Sequence, residues 1–238
     1  MAGILFIISA PSGSGKSTLV DRLRSLVPGL EFSISYTTRP PRGSEQNGRE
    51  YHFISREEFE TKIARGDFLE YAEVFGDYKG TAWKPLDDAK TQGKDLLLDI
   101  DIQGTAQVRK RFPEAVTIFV MPPDRETLET RLRTRSRAEG SVSAEVIERR
   151  LAKARLEIEK CREYGYILVN DVLDRAVEEL SAIVVSERVK RGDGKVDADT
   201  ARLMALAEGC LEKHSGDRLR PVLASFGLLD SAGAHTQR

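Results

Sequence analysis

The sequence predicts an α/β fold, a parallel sheet with helices on both faces. Three observations lead there. Short apolar runs at Ile4–Ser9, Asp95–Ile102, Val116–Val120 and Tyr166–Val169 alternate with helical segments, the pattern of strands buried on both faces. The first run passes directly into a Gly-rich turn and then a helix. Two carboxylates, Asp99 and Asp101, stand at the end of the second, where open α/β sheets bind ligands.

Each element has a local reason. Ile4–Ser9 is a β-branched run that stops at a turn. Ser17–Leu26 is helical, with Leu19, Leu23 and Leu26 on one face. Phe32–Tyr36 reads as a second strand, and Pro40 and Pro41 exclude helix from the loop that runs to Gly48. Tyr51–Ile54 is extended. Ser55 to Glu58 has the form of a capping box, so a helix starts there and runs to Arg65. Phe68–Val74 is a strand, and Pro85 and Gly93 bracket a further helix. Residues 36–92 break the strand–helix rhythm and read as a small inserted domain. A long helix covers about Asp174–Lys190. Gly192-Asp-Gly194 interrupts the chain, and Asp199–Lys213 and Arg218–Phe226 read as short amphipathic helices before a frayed end, Ser231–Arg238.

Composition narrows the function. The 238 residues suit one domain with an appendage. With 37 Lys and Arg against 38 Asp and Glu, the net charge of −1 argues against a broad nucleic-acid surface. Cys161 and Cys210 are far apart and read as reduced thiols; with His52, His214 and His235 they form no metal-spaced cluster. The N-terminus lacks the basic segment of a signal peptide. No apolar run nears the ~18 residues of a membrane span. The expectation is a cytoplasmic protein with no membrane or nucleic-acid partner.

Ala10, Pro11, Ser12, Gly13, Ser14, Gly15, Lys16, Ser17 and Thr18 follow the first strand and open a helix. Small residues let successive N–H groups close around phosphate oxygens, and the helix N-terminus adds partial positive charge. Lys16 can reach the β- and γ-phosphates and Ser17 can ligand Mg²⁺. Ala10 stands where the strict pattern has Gly. Asp99 and Asp101, two apart in a strand, would share a face about 7 Å apart. Asp99 then supports Mg²⁺ through water and Asp101 contacts substrate; the alternative is that they cap the next helix. Arg131 and Arg135 share a helix face, Arg137–Ser143 reads as a mobile loop, and a second helix starts near Ser143. Beside a phosphate loop, such a segment can close as an arginine-bearing lid; alone it would read as a solvated charged surface.

Several motifs together resemble the guanylate kinase family. They are Ala10–Thr18, Phe32–Arg42, Asn47–Tyr51, Gly66–Glu70, Asp99–Gly104 and Val169–Asp171, in the family's order. The resemblance covers about residues 3–190. It implies a three-layer phosphate-loop NTPase core with a parallel sheet (1–35 and 93–190), a small mixed GMP-binding insert (about 36–92) and a helical lid (about 131–150). The extension 191–238, read as helical, lies outside it. The implied activity is ATP:GMP phosphotransfer with Mg²⁺, with dGMP as a second candidate acceptor, in a monomer or homodimer. By resemblance, Arg39, Arg42 and Tyr51 hold the GMP phosphate, and Ser35, Glu70, Thr81 and Asp101 read guanine. Lys16, Arg39, Arg135 and Arg150 act on the transferring group, and Asn170 approaches adenine. Lys79 stands where the family has Tyr and can meet phosphate as a point charge, with Tyr78 as an alternative. The lid is a few residues longer than usual around Arg137–Gly140, and Val172 replaces an acidic residue. A ribose-phosphate kinase, a GTPase using Asp101 to Gly104, and an inactive binding module are the competing readings.

Overall fold

A computed structural model describes residues 3–138, 143–192 and 196–229. In chain order the strands are β1 (Leu5–Ser9), β2 (Leu30–Ser33), β3 (Tyr36–Thr37), β4 (His52–Phe53), β5 (Phe68–Val74), β6 (Asp77–Ala82), β7 (Asp95–Asp99), β8 (Val116–Met121) and β9 (Tyr166–Val169). The helices are α1 (Lys16–Leu26), α2 (Arg56–Arg65), α3 (Lys84–Gln92), α4 (Ile102–Arg111), α5 (Arg125–Ala138), α6 (Ala144–Glu159), α7 (Leu173–Lys190), α8 (Ala198–Gly209) and α9 (Gly216–Ser225). A five-stranded sheet runs β2-β7-β1-β8-β9, and a four-stranded sheet runs β4-β3-β6-β5. The expected α/β class with a parallel sheet is what forms. The chain divides into two compact units, Met1–Ser9 with Val27–Thr117 and Ala10–Leu26 with Ile118–Arg238.

In the first unit β1 and β2 both pair in parallel with β7. Leu5, Ile7, Leu96, Leu98 and Ile100 pack with Leu86 and Ala89 of α3, Val108 of α4 and Leu69 of β5. The expected strand Phe32–Tyr36 is divided. Its first part belongs to β2 in the parallel sheet, and Tyr36 begins β3, which pairs with β4 and β6 in the other. An alternation of half-buried and buried residues runs from Phe32 to Thr37 through both parts and carries no mark of the change of partner.

The four-stranded sheet has two unlike faces. On one, Phe59 of α2 stacks on Phe68 (centroids 4.3 Å) and on Tyr78 (5.0 Å), and Arg56 lies over Tyr78. Such ring pairs contribute about 0.5–1.5 kcal/mol each beyond burial. α2 is set by the expected capping box, Ser55 with Glu58. The other face is polar and carries the residues described below.

In the second unit β8 and β9 pair in parallel from Ile118 opposite Tyr166 to Met121 opposite Val169. α5 runs through Arg137 to Ala138, into the start of the expected loop Arg137–Ser143. Arg, Ser and Ala keep the helix going, and buried Ser136 accepts a hydrogen bond from Arg150 Nη1 at 3.1 Å. Ser143 caps α6, as expected. Of the expected lid loop, residues 139–142 lie outside the described residues, as do 193–195 of the expected chain break and the end at 231–238. Among the described residues after α7, the expected helix Asp199–Lys213 is α8, which ends at Gly209, and the expected Arg218–Phe226 corresponds to α9. This segment packs on its own unit: buried Glu179 of α7 accepts two hydrogen bonds from Arg218 of α9, both 2.9 Å. The Ile167 N–H donates to Cys210 O (2.8 Å) and the Glu212 N–H to Gly165 O (3.0 Å). Cys161 and Cys210 are free and buried, and burial pushes both thiols up to about 11. Among the described residues no helix is long and apolar enough to cross a membrane.

Candidate active site

On the first unit the polar sheet face is built by strand register. Glu70 sits opposite Thr81, Ala72 opposite Lys79, and Thr37 opposite Lys79. The period of two therefore puts Glu70, Thr81, Lys79 and Thr37 on one face. Ser35, two residues before Thr37, joins them with its Oγ 3.4 Å from Thr81 Oγ1. Ser35, Glu70 and Thr81 are buried. Burial pushes the Glu70 carboxyl up to about 7; the Thr81 hydrogen bond pulls it back, and the Asp101 charge adds to the rise.

Asp101 is not in the strand. β7 ends at Asp99, and Asp101 caps α4, its Oδ1 accepting from Gln103 N–H (3.0 Å) and Gly104 N–H (2.9 Å). The expected pair of aspartates alternating on one strand face is thus not formed, because the cap satisfies helix donors that nothing else would meet. Asp101 Oδ2, however, is buried with no hydrogen-bond partner, so an acceptor stays available beside Glu70. The two acids are brought together by a close approach. A Cβ on Gly104 would lie 2.3 Å from Glu70 Oε2, so only glycine lets the Glu70 carboxylate rest on the first turn of α4.

A second cluster adjoins on the same unit. Arg39 is buried and forks onto Glu45, with Nη1 to Oε2 at 2.6 Å and Nη2 to Oε1 at 2.7 Å. The Arg42 backbone N–H donates to Glu45 Oε2 at 2.8 Å. Burial alone would raise the Glu45 carboxyl; the hydrogen bonds from Arg39 and Arg42 outweigh it and hold it below its usual range. Tyr51 lies between two cations, with Arg39 Cζ 4.9 Å and Lys79 Nζ 5.5 Å from its ring centroid. Lys79, not Tyr78, therefore faces this cluster. The alternative use of Tyr78 fails because adjacent strand residues point to opposite faces, and Tyr78 is stacked on Phe59. Glu45 gave no signal in the sequence beyond being one more loop carboxylate. Asp99, at the strand end, is half-buried.

On the second unit the loop from Ala10 to Gly15 turns at Pro11, whose carbonyl accepts from the Ser14 N–H at 3.1 Å. α1 begins at Lys16, which is half-buried, and Ser17 and Thr18 are exposed in its first turn. The side chain of Asn170 donates from Nδ2 to Ser14 O at 2.8 Å, and Arg131 reaches the same carbonyl from Nη1 at 3.4 Å. Arg131 was expected only as part of the lid, and its place at the loop is new. Arg133 pairs instead with Glu129 of its own helix. Arg135 is exposed on α5, and Arg150 bonds Ser136.

The comparisons with known proteins agree with one another. A family model described as guanylate kinase matches residues 3–187. A guanylate kinase of Koribacter versatilis is 53% identical over 95% of this chain and 97% of its own. One of Neisseria meningitidis is 52% identical over 79% and 90%. The crystal structure of guanylate kinase from Anaplasma phagocytophilum aligns with a TM-score of 0.64 at 32% identity, covering 78% of this chain and 86% of that one. A Gly-rich loop opening a helix, and a buried Glu70 on a polar sheet face beside the helix-capping Asp101, thus occur in a chain that matches this family over most of its length, and the chain belongs to the guanylate kinase family.

Proposed function

We propose that the protein transfers the γ-phosphoryl group of ATP to GMP, giving ADP and GDP. The observation that carries the acceptor is the acidic pair. Guanine N1–H and N2–H₂ are donors, and Glu70 with the unpartnered Asp101 Oδ2 offers acceptors in a buried setting where an adenine edge would leave them unmet. Ser35 and Thr81 complete that face. Arg39, Arg42, Tyr51 and Lys79 receive the GMP phosphate, with Glu45 fixing the fork of Arg39. GMP phosphate is already ionised, so transfer needs no strong general base. The chain contributes position and positive charge. Lys16 and the N–H groups of Ala10–Thr18 hold the donor phosphates, and Arg39, Arg135 and Arg150 neutralise the transferring group. Residues 36–92 form the GMP-binding insert and about 131–150 the lid.

For Mg²⁺, the Ser17 hydroxyl and the Asp99 carboxylate are hard oxygen donors of the class this ion takes, and it keeps few protein ligands when phosphates supply the rest. Held by Ser17 and Asp99 with ATP, Mg²⁺ would offset the negative charge of the phosphates. dGMP is a second acceptor on this reading, because no residue is assigned to the 2′-hydroxyl. The setting is purine nucleotide metabolism in the cytoplasm. ADP release, measured with GMP, AMP, ribose phosphates and no acceptor, tests the assignment. Turnover is expected with GMP alone among these, and equal turnover with AMP or with no acceptor would sink it.

Glu70 carries a pH signature. A carboxyl raised to about 7 from its ordinary 4.5 binds its proton more tightly when folded. Its effect on stability is therefore nil below pH about 4.5, becomes a growing cost between about 4.5 and about 7, and stays constant above that. Glu70→Gln is expected to raise the melting temperature at pH 8 and leave it unchanged near pH 4.5. The same variant should raise KM for GMP about ten- to hundredfold at pH 8, since a hydrogen bond to a charged acceptor is lost. Unchanged KM for GMP at pH 8 would remove Glu70 from the guanine contact.

A further inference from the structure

We infer that Asn170 is a positioning residue for the phosphate loop: its side-chain amide holds the Ser14 carbonyl from behind and so aims the Gly15 N–H at the donor phosphates. This rests on the reading of Ala10–Thr18 as the loop that binds ATP.

Asn170 is anchored independently of the loop. Its backbone N–H donates to Met121 O at 2.9 Å, continuing the β8–β9 ladder by one residue. From that fixed point its side chain, in a residue only 5% exposed, reaches a carbonyl 156 positions earlier in sequence. The bond is short, with Nδ2 to Ser14 O at 2.8 Å. Arg131 adds a longer contact to the same oxygen from Nη1 (3.4 Å), and its Nη2 reaches Asn170 O (3.4 Å). The three residues close a ring of contacts behind the loop.

The consequence follows from the peptide plane. In a trans peptide the carbonyl of one residue and the N–H of the next point in opposite directions. With Ser14 O drawn toward Asn170, the Gly15 N–H turns to the opposite side, where a phosphate-binding nest needs donors. Gly15 makes this possible twice over. Its φ of 87° is open to glycine, and a Cβ there would stand 2.4 Å from Asn170 Nδ2. An N–H aimed before the ligand arrives needs no reorganisation when charge develops on the phosphates. The hydrogen bond made by Asn170 is to the chain itself, whereas its expected role was toward adenine.

The test uses the full-length protein with Asn170→Asp and Asn170→Ala. Asp keeps the size and shape of Asn and removes the donor but adds a negative charge, so its effect is read against Asn170→Ala, which removes the donor without adding charge. Two probes are titrated, ADP and inorganic tripolyphosphate, which has no base. Both variants are expected to lose affinity for the two probes by the same factor, about tenfold. KM for ATP should rise in step while KM for GMP is unchanged. Weakened ADP binding with tripolyphosphate affinity retained would show that Asn170 meets the base, and the inference would fall. Asn170→Asp with wild-type affinity for both probes would show that shape alone matters, and would overturn it equally. If Asn170→Ala does not fold, Asn170→Ser, uncharged and too short to reach the Ser14 carbonyl, takes its place and decides with Asn170→Asp. A wild-type protein that binds neither probe would remove the loop assignment, a failure distinct from a variant that matches a binding-competent wild type.

Discussion

Replacing Lys16 with Met is expected to lower kcat by about 10³-fold or more, the scale on which single charge-stabilising groups act in phosphoryl transfer. Lys16 is the first residue of α1, so its ammonium leaves the loop at the point where the helix N-terminus already favours anions. Met keeps the length and helix propensity of the side chain and removes only the charge. Folding should therefore survive, and the melting temperature should stay within a few degrees. The measurement is ADP release with saturating GMP, beside a thermal melt of the same sample. GDP made at the normal rate by purified Lys16→Met would show that the loop is not where chemistry occurs.

The second large effect concerns stability. Glu179 is 3% exposed, and both its carboxylate oxygens accept from Arg218 Nη2. Removing one partner of a buried pair leaves the other charge uncompensated, at a cost of about 3–5 kcal/mol. For a chain of this size that corresponds to a drop in melting temperature of roughly 6–20 °C for Arg218→Ala. Glu179→Gln on top of Arg218→Ala should recover most of the loss, because the buried charge is gone. A fall no larger than that of a surface substitution would mean the pair is solvated in solution. Recovery by the double variant separates charge burial from lost packing of the arginine stem.

Much of the core was legible in the sequence because its signals are local. β7, with Leu96, Leu97 and Leu98 all buried, announces itself as an apolar run, and the Gly-rich loop from Ala10 to Gly15 is contiguous. The capping box at Ser55 and the bracketing of α3 by Pro85 and Gly93 are equally local. β6 was not legible. Asp77–Ala82 is polar and contains Gly80, and it is a strand because the turn at Phe75-Gly76 folds it back on β5. The site shows the same division. That Glu70, Thr81 and Ser35 share a face depends on the register of three strands, which only the family resemblance supplied in advance. Asp101 was mistaken for a strand residue, since a cap and the last residue of a strand look alike until the helix turn is seen. Glu45 on Arg39, Arg131 on Ser14 and Asn170 on Ser14 are tertiary contacts between side chains of ordinary type, and no spacing rule points to them.

The two backbone bonds from the 210–212 segment to Gly165 and Ile167 have a consequence for the order in which the protein is made. β9 is the last strand of its sheet, and a bare last strand is a template on which another chain can add itself. Here the chain's own later residues take that place. During synthesis, however, β9 emerges from the ribosome some forty residues before its cover, about the span of α7 and α8. For that interval the nascent protein carries an open template. Slowing translation beyond residue 190 would change how long it stays open while leaving every contact of the finished fold in place.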